Sequence, residues 1–264
     1  MKNPETPQSP DAQNNYITNI HKYCDLWCLK CSFTDRCERH KIFKYISPTG
    51  KPGFLNQIRE NIQKLQEEIN EMNRKQGMEE GNQPIDEEAE KKEQEKEAYI
   101  KNHILTKKGN EYHRMAMGWF AINHELILKS GYQLLQNIKM GIRGEETEEE
   151  ATVVYDAFEL IGWYSKHIRV RLEEAISDEY DRNEKPQKIN KLTEADGKAK
   201  AALIEMDRSL SGWNKLHDYF PDARDDILDV QIFLENLRKD TERNFPRARD
   251  FVRPGFDEIR QDGF

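Results

Sequence analysis

The sequence predicts an all-α protein: a helical bundle preceded by an N-terminal four-cysteine metal module and a helical hairpin or spacer. Three observations predict this. Apolar residues recur at spacings of three and four through several long stretches. No stretch alternates with period two for long enough to make a strand. Glycines and prolines fall between the periodic stretches, where helices must stop. The composition agrees. Of 264 residues, 36 % are apolar and 34 % charged, a balance that suits long helices with solvated outer faces. Aromatic residues at 9 % argue against disorder of the whole chain. The formal net charge of −8 argues against nucleic-acid binding by the molecule as a whole.

Residues 1–15 read as a disordered arm, rich in Pro, Gln and Asn and without the apolar core of a secretory signal. No apolar run approaches the roughly 18 residues of a membrane span, so no membrane contact is expected. The expected compartment is cytoplasmic, with reduced thiols. Residues 16–46 form the cysteine module, which is basic: from Lys22 to Lys51 there are seven Lys or Arg against three Asp or Glu. Ser47-Pro48-Thr49-Gly50-Lys51-Pro52-Gly53 then reads as a linker.

Residues 54–108 read as a helical hairpin or coiled-coil spacer. Leu55, Ile58, Ile62, Leu65, Ile69 and Met72 make an a/d seam, which predicts a protein partner or self-association through this segment. Gly77 and Gly81-Asn82-Gln83-Pro84 break the helix. An acidic run from Asp86 to Glu97 resumes it and leads into Tyr99, Ile100, Ile104 and Leu105.

Residues 109–242 make the bundle. One helix is expected over 110–140, carrying Met115, Trp119, Leu126, Leu134 and Ile138 and ended by Gly141 and Gly144. A second opens on Thr147-Glu148-Glu149-Glu150, acids where a helix N-terminus favours them, and fades near Asp181. A third covers about Lys198 to His217. Pro221 starts a fourth, through Ile227, Val230, Leu234 and Leu237. Residues 243–264 read as an extended tail bearing Phe245, Phe251, Phe256 and Phe264.

All four cysteines lie within fourteen residues, as Cys24-x3-Cys28-x2-Cys31-x5-Cys37. Scattered structural cysteines would not cluster in this way, and a reducing compartment disfavours disulfides. If the segment is helical, Cys24, Cys28 and Cys31 share one face and Cys37 returns from the next turn. Thiolates select zinc, iron–sulfur clusters or copper(I). Structural zinc usually draws on two separated Cys/His pairs, and only Cys28-x2-Cys31 resembles one. A compact run with short unequal gaps is more typical of an iron–sulfur cluster. Lys22, Lys30, Arg36, Arg39, Lys41 and Lys44 would offset the charge of a four-thiolate centre, and Trp27 and Phe33 could shield it. His21 and His40 flank the run and could be ligands, though flanking histidines are more often second-sphere groups or simply exposed.

Cys28-x2-Cys31-x5-Cys37 resembles the cysteine run that holds auxiliary [4Fe–4S] clusters in SPASM-type domains. The likeness covers about ten residues and implies a cluster as the ligand type. The glycine-rich continuation to a further cysteine is absent, and Glu38-Arg39-His40 follows instead. The first three cysteines also match the C-x3-C-x2-C of radical enzymes that cleave S-adenosylmethionine, but the alternating strands and helices of that family are missing. The expected cofactor is therefore a [4Fe–4S] cluster, with zinc as the alternative. The corresponding functions are electron transfer or redox sensing, and protein interaction or scaffolding around a structural zinc.

Two further patterns carry possible chemistry. Gly118-Trp119 with His124, Gly162-Trp163 with His167, and Gly212-Trp213 with His217 recur in three helices. They suggest either a pocket lined by Trp119, Trp163 and Trp213, with His113, His124, His167 and His217 as ligands or proton carriers, or ordinary core packing. A carboxylate-bridged di-iron site is disfavoured, since no Glu or Asp stands three residues before any His. Asp225-Asp226-Ile227-Leu228-Asp229, with Asp222 one turn earlier, matches the D-D-x-x-D by which all-α prenyl-diphosphate enzymes hold magnesium. The competing reading is dipole complementation in the first turns after Pro221. No complete catalytic motif is present.

Overall fold

A computed structural model describes residues 15–41, 71, 87–142, 144–184 and 191–258. The arm to residue 14, the linker at 47–53, the a/d seam apart from its neighbour Glu71, and Phe264 lie outside the described residues. Among the described residues there is no strand, and no helix is long and apolar enough to cross a membrane. The chain divides into two compact units. Residues 15–21, 26–41, 71 and 254–258 fall in the first. Residues 22–25 and the described residues from 87 to 253 fall in the second.

The described residues of the second unit form six α-helices: α1 (Glu87–Asn102), α2 (Ile104–Ile122), α3 (His124–Lys139), α4 (Glu145–Glu184), α5 (Glu194–Tyr219) and α6 (Arg224–Asn244). The single helix expected over 110–140 is in fact two, and α2 begins before position 109. The break falls at Asn123, whose backbone N–H and side-chain amide both donate to the Trp119 carbonyl, each at 3.0 Å. Asn competes for backbone partners in this way and so favours helix ends over helix interiors.

The other boundaries follow their local chemistry. α3 ends in a Schellman motif: Gly141 N–H bonds the Ile138 carbonyl at 3.1 Å and Ile142 N–H the Asn137 carbonyl at 2.9 Å. Gly141 sits at φ +65°, which a residue with a Cβ adopts only at a cost. α5 starts with a capping box. The Asp196 N–H donates to Thr193 Oγ1, and the Thr193 N–H donates to Asp196 Oδ2 at 2.9 Å. Pro221 opens a short 3-10 turn, Pro221–Ala223, that feeds α6.

Four helices share the core. α4 contributes Val154, Ala157, Ile161, Ile168, Leu172 and Ile176, and α5 contributes Ala199, Ala202, Leu203, Met206, Trp213 and Leu216. Leu105, Tyr112 and Trp119 of α2 and Ile227, Val230, Leu234 and Leu237 of α6 close the core. Each large aliphatic side chain in it contributes roughly 1.5–3 kcal/mol. α4 and α5 pack closest at Gly212, where an added Cβ would stand 3.0 Å from Ile161 Cγ1. α1 lies at the far end of α4, through Lys96 to Asp181 at 2.7 Å and the Tyr99–Tyr180 ring contact at 5.2 Å. α3 is different: only Leu134 of its sixteen residues is buried.

The tail is not wholly extended. Phe245 is buried beside a 3-10 turn, Ala248–Asp250, and Phe251 meets Tyr23 with centroids 4.8 Å apart within the second unit. In the first unit, Phe33 meets Phe256 edge-on at 5.1 Å.

We expect Leu172→Ala, which would leave a cavity among fully buried neighbours, to cost about 2–5 kcal/mol in urea unfolding. Leu228→Ala, on the exposed face of α6, should stay within about 0.5 kcal/mol of the parent.

Candidate functional site

The cysteine segment is not an α-helix. It is a series of 3-10 turns, Ile20–Lys22, Cys28–Lys30 and Thr34–Arg36, joined by irregular bends and turns. Leu26 sits at φ +55°, in the left-handed region, and an α-helix cannot continue through it. The expectation that Cys24, Cys28 and Cys31 share one helical face is therefore corrected. Cys28 begins one turn, Cys31 follows it in extended conformation, and Cys37 follows the next turn in the same way.

In the first unit these turns are closed by Ile17 N–H bonding the Arg36 carbonyl at 3.0 Å. Ile20 and Trp27 are buried, and Lys30 lies over the Trp27 ring at 4.5 Å. The four cysteines are half-buried thiols. Cys31 Sγ accepts the Phe33 N–H at 3.4 Å, a bond that stabilises sulfur carrying negative charge. Among the described residues, no three His, Cys, Asp or Glu side chains are gathered into a group that could hold a metal ion. The chemistry of the donors fits a soft metal, but a closed cage is not preformed.

The second unit holds the strap Lys22–Asp25 by a dense set of polar contacts. Arg171 of α4 is buried and donates to the carbonyls of Lys22, at 3.0 Å, and of Cys24. It also pairs with Glu174 at 2.7 Å. Asp25 Oδ2 accepts from the Tyr164 hydroxyl at 2.9 Å and from Arg208 at 2.6 Å, and the Asp25 carbonyl accepts from Trp163 Nε1 at 2.9 Å. Burial, with the Asp25 charge added, raises the Tyr164 hydroxyl well above its ordinary range.

Glu205 of α5 lies behind Arg171. It is 1 % exposed, its Oε1 stands 3.9 Å from Arg171 Nε, and neither carboxyl oxygen has a hydrogen-bond partner among the described residues. At that distance the pair is not hydrogen-bonded. Burial outweighs the attraction of Arg171 and pushes Glu205 up to about 8. Burial thus favours the neutral form of Glu205, and the Arg171 Nη atoms bond the strap carbonyls and Glu174.

The Trp and His recurrences do not form one pocket. Trp119 and Trp213 are core side chains, edge to face at 5.3 Å, and Trp213 Nε1 donates to the Tyr112 hydroxyl at 3.1 Å. Trp163 instead holds the strap and stacks on His167 at 4.6 Å. Burial, with Arg171 next, lowers the His167 pKa. His113 pairs with Ser165 at 3.1 Å. His124 is exposed at the start of α3, and His217 lies beside Asp218 at 3.4 Å. Of the three glycines in the pattern, only Gly212 marks a close approach; nothing lies within 4 Å of a Cβ at Gly118 or Gly162. The spacing repeats but the role does not.

Asp222, Asp225, Asp226 and Asp229 are exposed at the start of α6, Asp225 and Asp226 in its first turn. They belong to no metal-binding group among the described residues. The position of Asp222, Asp225 and Asp226 at the dipole's positive end suits their charge.

Sequence reasoning missed Arg171, Glu205, Asp25, Tyr164 and Arg208. The available signal was a charge on the apolar stripe of each of two long helices: Arg171 between Ile168 and Ala175, and Glu205 between Ala201 and Ser209. Comparison of the chain with known protein families, with curated proteins and with solved structures finds no match.

Between its ordinary value near 4.5 and the folded value of about 8, Glu205 binds a proton in the folded chain that the unfolded chain has released. Stability therefore falls as pH rises through that window and levels off above it. We expect the parent to lose on the order of a few kcal/mol in urea unfolding between pH 5 and pH 8, and Glu205→Gln to flatten that decline.

Proposed function

We propose that this protein binds a metal through its N-terminal thiolates, as a [4Fe–4S] protein acting in electron transfer or redox sensing. The ligands in this reading are Cys28, Cys31 and Cys37, with Cys24 as the fourth by sequence spacing. The observation that carries it is the four-cysteine run itself, C-x3-C-x2-C-x5-C, with every thiol half-buried and none sunk in the core. Lys30, Arg36, Arg39 and Lys41 supply positive charge along the same segment. A bound cluster would supply a one-electron redox couple. The chain's part is to present thiolates, offset their charge and donate N–H groups to sulfur, of which Phe33 to Cys31 is one.

Because the thiols stand at the edges of short turns rather than in a closed cage, binding would organise the segment as well as fill it. A second reading is a structural zinc in a protein-interaction module. It is favoured by the Cys28-x2-Cys31 spacing, with a short turn at Cys28–Lys30 and an N–H bond to Cys31 Sγ.

The test is anaerobic purification with metal analysis. We expect a brown protein with broad absorbance near 400 nm and about four iron atoms per chain. Replacing Cys31 or Cys37 by Ser should remove most of the metal and colour while leaving the helical circular dichroism of the second unit largely intact. A colourless protein with one zinc per chain would replace the cluster by the structural-zinc reading. A chain that takes up neither metal under reducing conditions would end both.

A further inference from the structure

Among the described residues, α3 carries an exposed apolar row. On the outer side of α3, Leu128, Tyr132 and Leu135 are 68 %, 66 % and 57 % exposed. Their spacings of four and three place them in line on one helical face. The row continues at the same spacing to Glu125 at one end and Lys139 at the other, both exposed. The opposite side of α3 is the one turned inward, with Leu134 its buried residue. Isolated exposed apolar residues are ordinary on a protein surface, but three in register on one short helix make a seam.

The charges say what the seam fits. A row that runs from acid through three apolar residues to base is self-complementary when reversed. Laid antiparallel on a copy of itself about Tyr132, it sets Glu125 against the partner's Lys139 at each end. Leu128 then lies beside the partner's Leu135. A parallel alignment would instead stack like charges. We propose that α3 is a two-fold, antiparallel dimerisation helix, and that its occupant is the α3 of a second copy of this chain. This isologous arrangement is the commonest way in which identical chains associate. Sixteen residues of helix span only about 24 Å, so the contact is small and the dimer is weak, reversible and dependent on concentration.

The measurement is sedimentation equilibrium of the full chain, under the same reducing conditions for every variant. Leu128→Glu with Leu135→Glu, both at exposed positions, should leave the helical circular dichroism unchanged and weaken association at least a hundredfold. Glu125→Lys alone, which sets two pairs of like charges together, should weaken the dimer about tenfold. Lys139→Glu alone should do the same. The double variant Glu125→Lys with Lys139→Glu restores both opposite pairs and should recover parental association. A monomeric parent would overturn the proposal. So would a dimer unaffected by the Leu128 and Leu135 changes, as expected if another segment or another partner surface carries association. A dimer weakened by either charge reversal but not rescued by the double variant would overturn the antiparallel register.

Discussion

The guanidinium of Arg171 is the constraint on which the arrangement of the helical unit around residues 22–25 depends. It is buried in α4, where a cation depends on its hydrogen bonds. The two Nη atoms of Arg171 donate to the carbonyls of Lys22 and Cys24 and to the carboxylate of Glu174, while its Nε, on the side of Glu205, has no hydrogen-bond partner among the described residues. The planar fork reaches several acceptors at fixed angles, which a lysine ammonium does not reproduce. The dependence runs both ways. Residues 22–25 have no regular secondary structure beyond the end of one short turn, and α4 supplies hydrogen-bond donors to the carbonyls of Lys22, Cys24 and Asp25. Glu205, which burial drives toward its neutral form, makes no hydrogen bond that competes with those acceptors.

Around this constraint the polar side chains of α4 and α5 divide into two groups with different work. Tyr112, Ser209 and Trp213 bond one another inside the core and serve packing. Trp163, Tyr164, Arg171 and Arg208 face residues 22–25 and fix the backbone of Cys24 and the side chain of Asp25. The thiols of the first unit stand instead on short turns held by backbone bonds and by contacts such as Phe33 with Phe256. Such turns adjust at low cost, and in the proposed function this is what allows the thiolates to be organised by the metal they receive.

The all-α class, the bundle of long helices and most of their ends were legible in the sequence, because they rest on local chemistry. Glu145 begins the second expected helix near its acidic run, and Gly141 and Pro221 fall at boundaries, whereas the third begins at Glu194, before the expected Lys198, behind a Thr193–Asp196 cap that was not foreseen. The break at Asn123 was not legible, since the apolar period runs through it. The cysteine turns were misread for a related reason: Cys24, Cys28 and Cys31 have helical spacing, but Leu26 takes a left-handed conformation that nothing in its side chain announces. The Gly-Trp…His pattern misled because one spacing serves three surroundings. Arg171 and Glu205 could have been found as opposite charges on apolar stripes, but their pairing is a tertiary fact, set by which faces of α4 and α5 meet.

The central claim is that cysteine sulfur supplies the first shell of a bound metal. X-ray absorption at the iron and zinc edges of the anaerobically purified protein tests it most directly. The account predicts a first shell made of sulfur, at about 2.3 Å, with an iron neighbour beyond it when the centre is a cluster. A first shell of oxygen and nitrogen, or no metal edge above background, would contradict it.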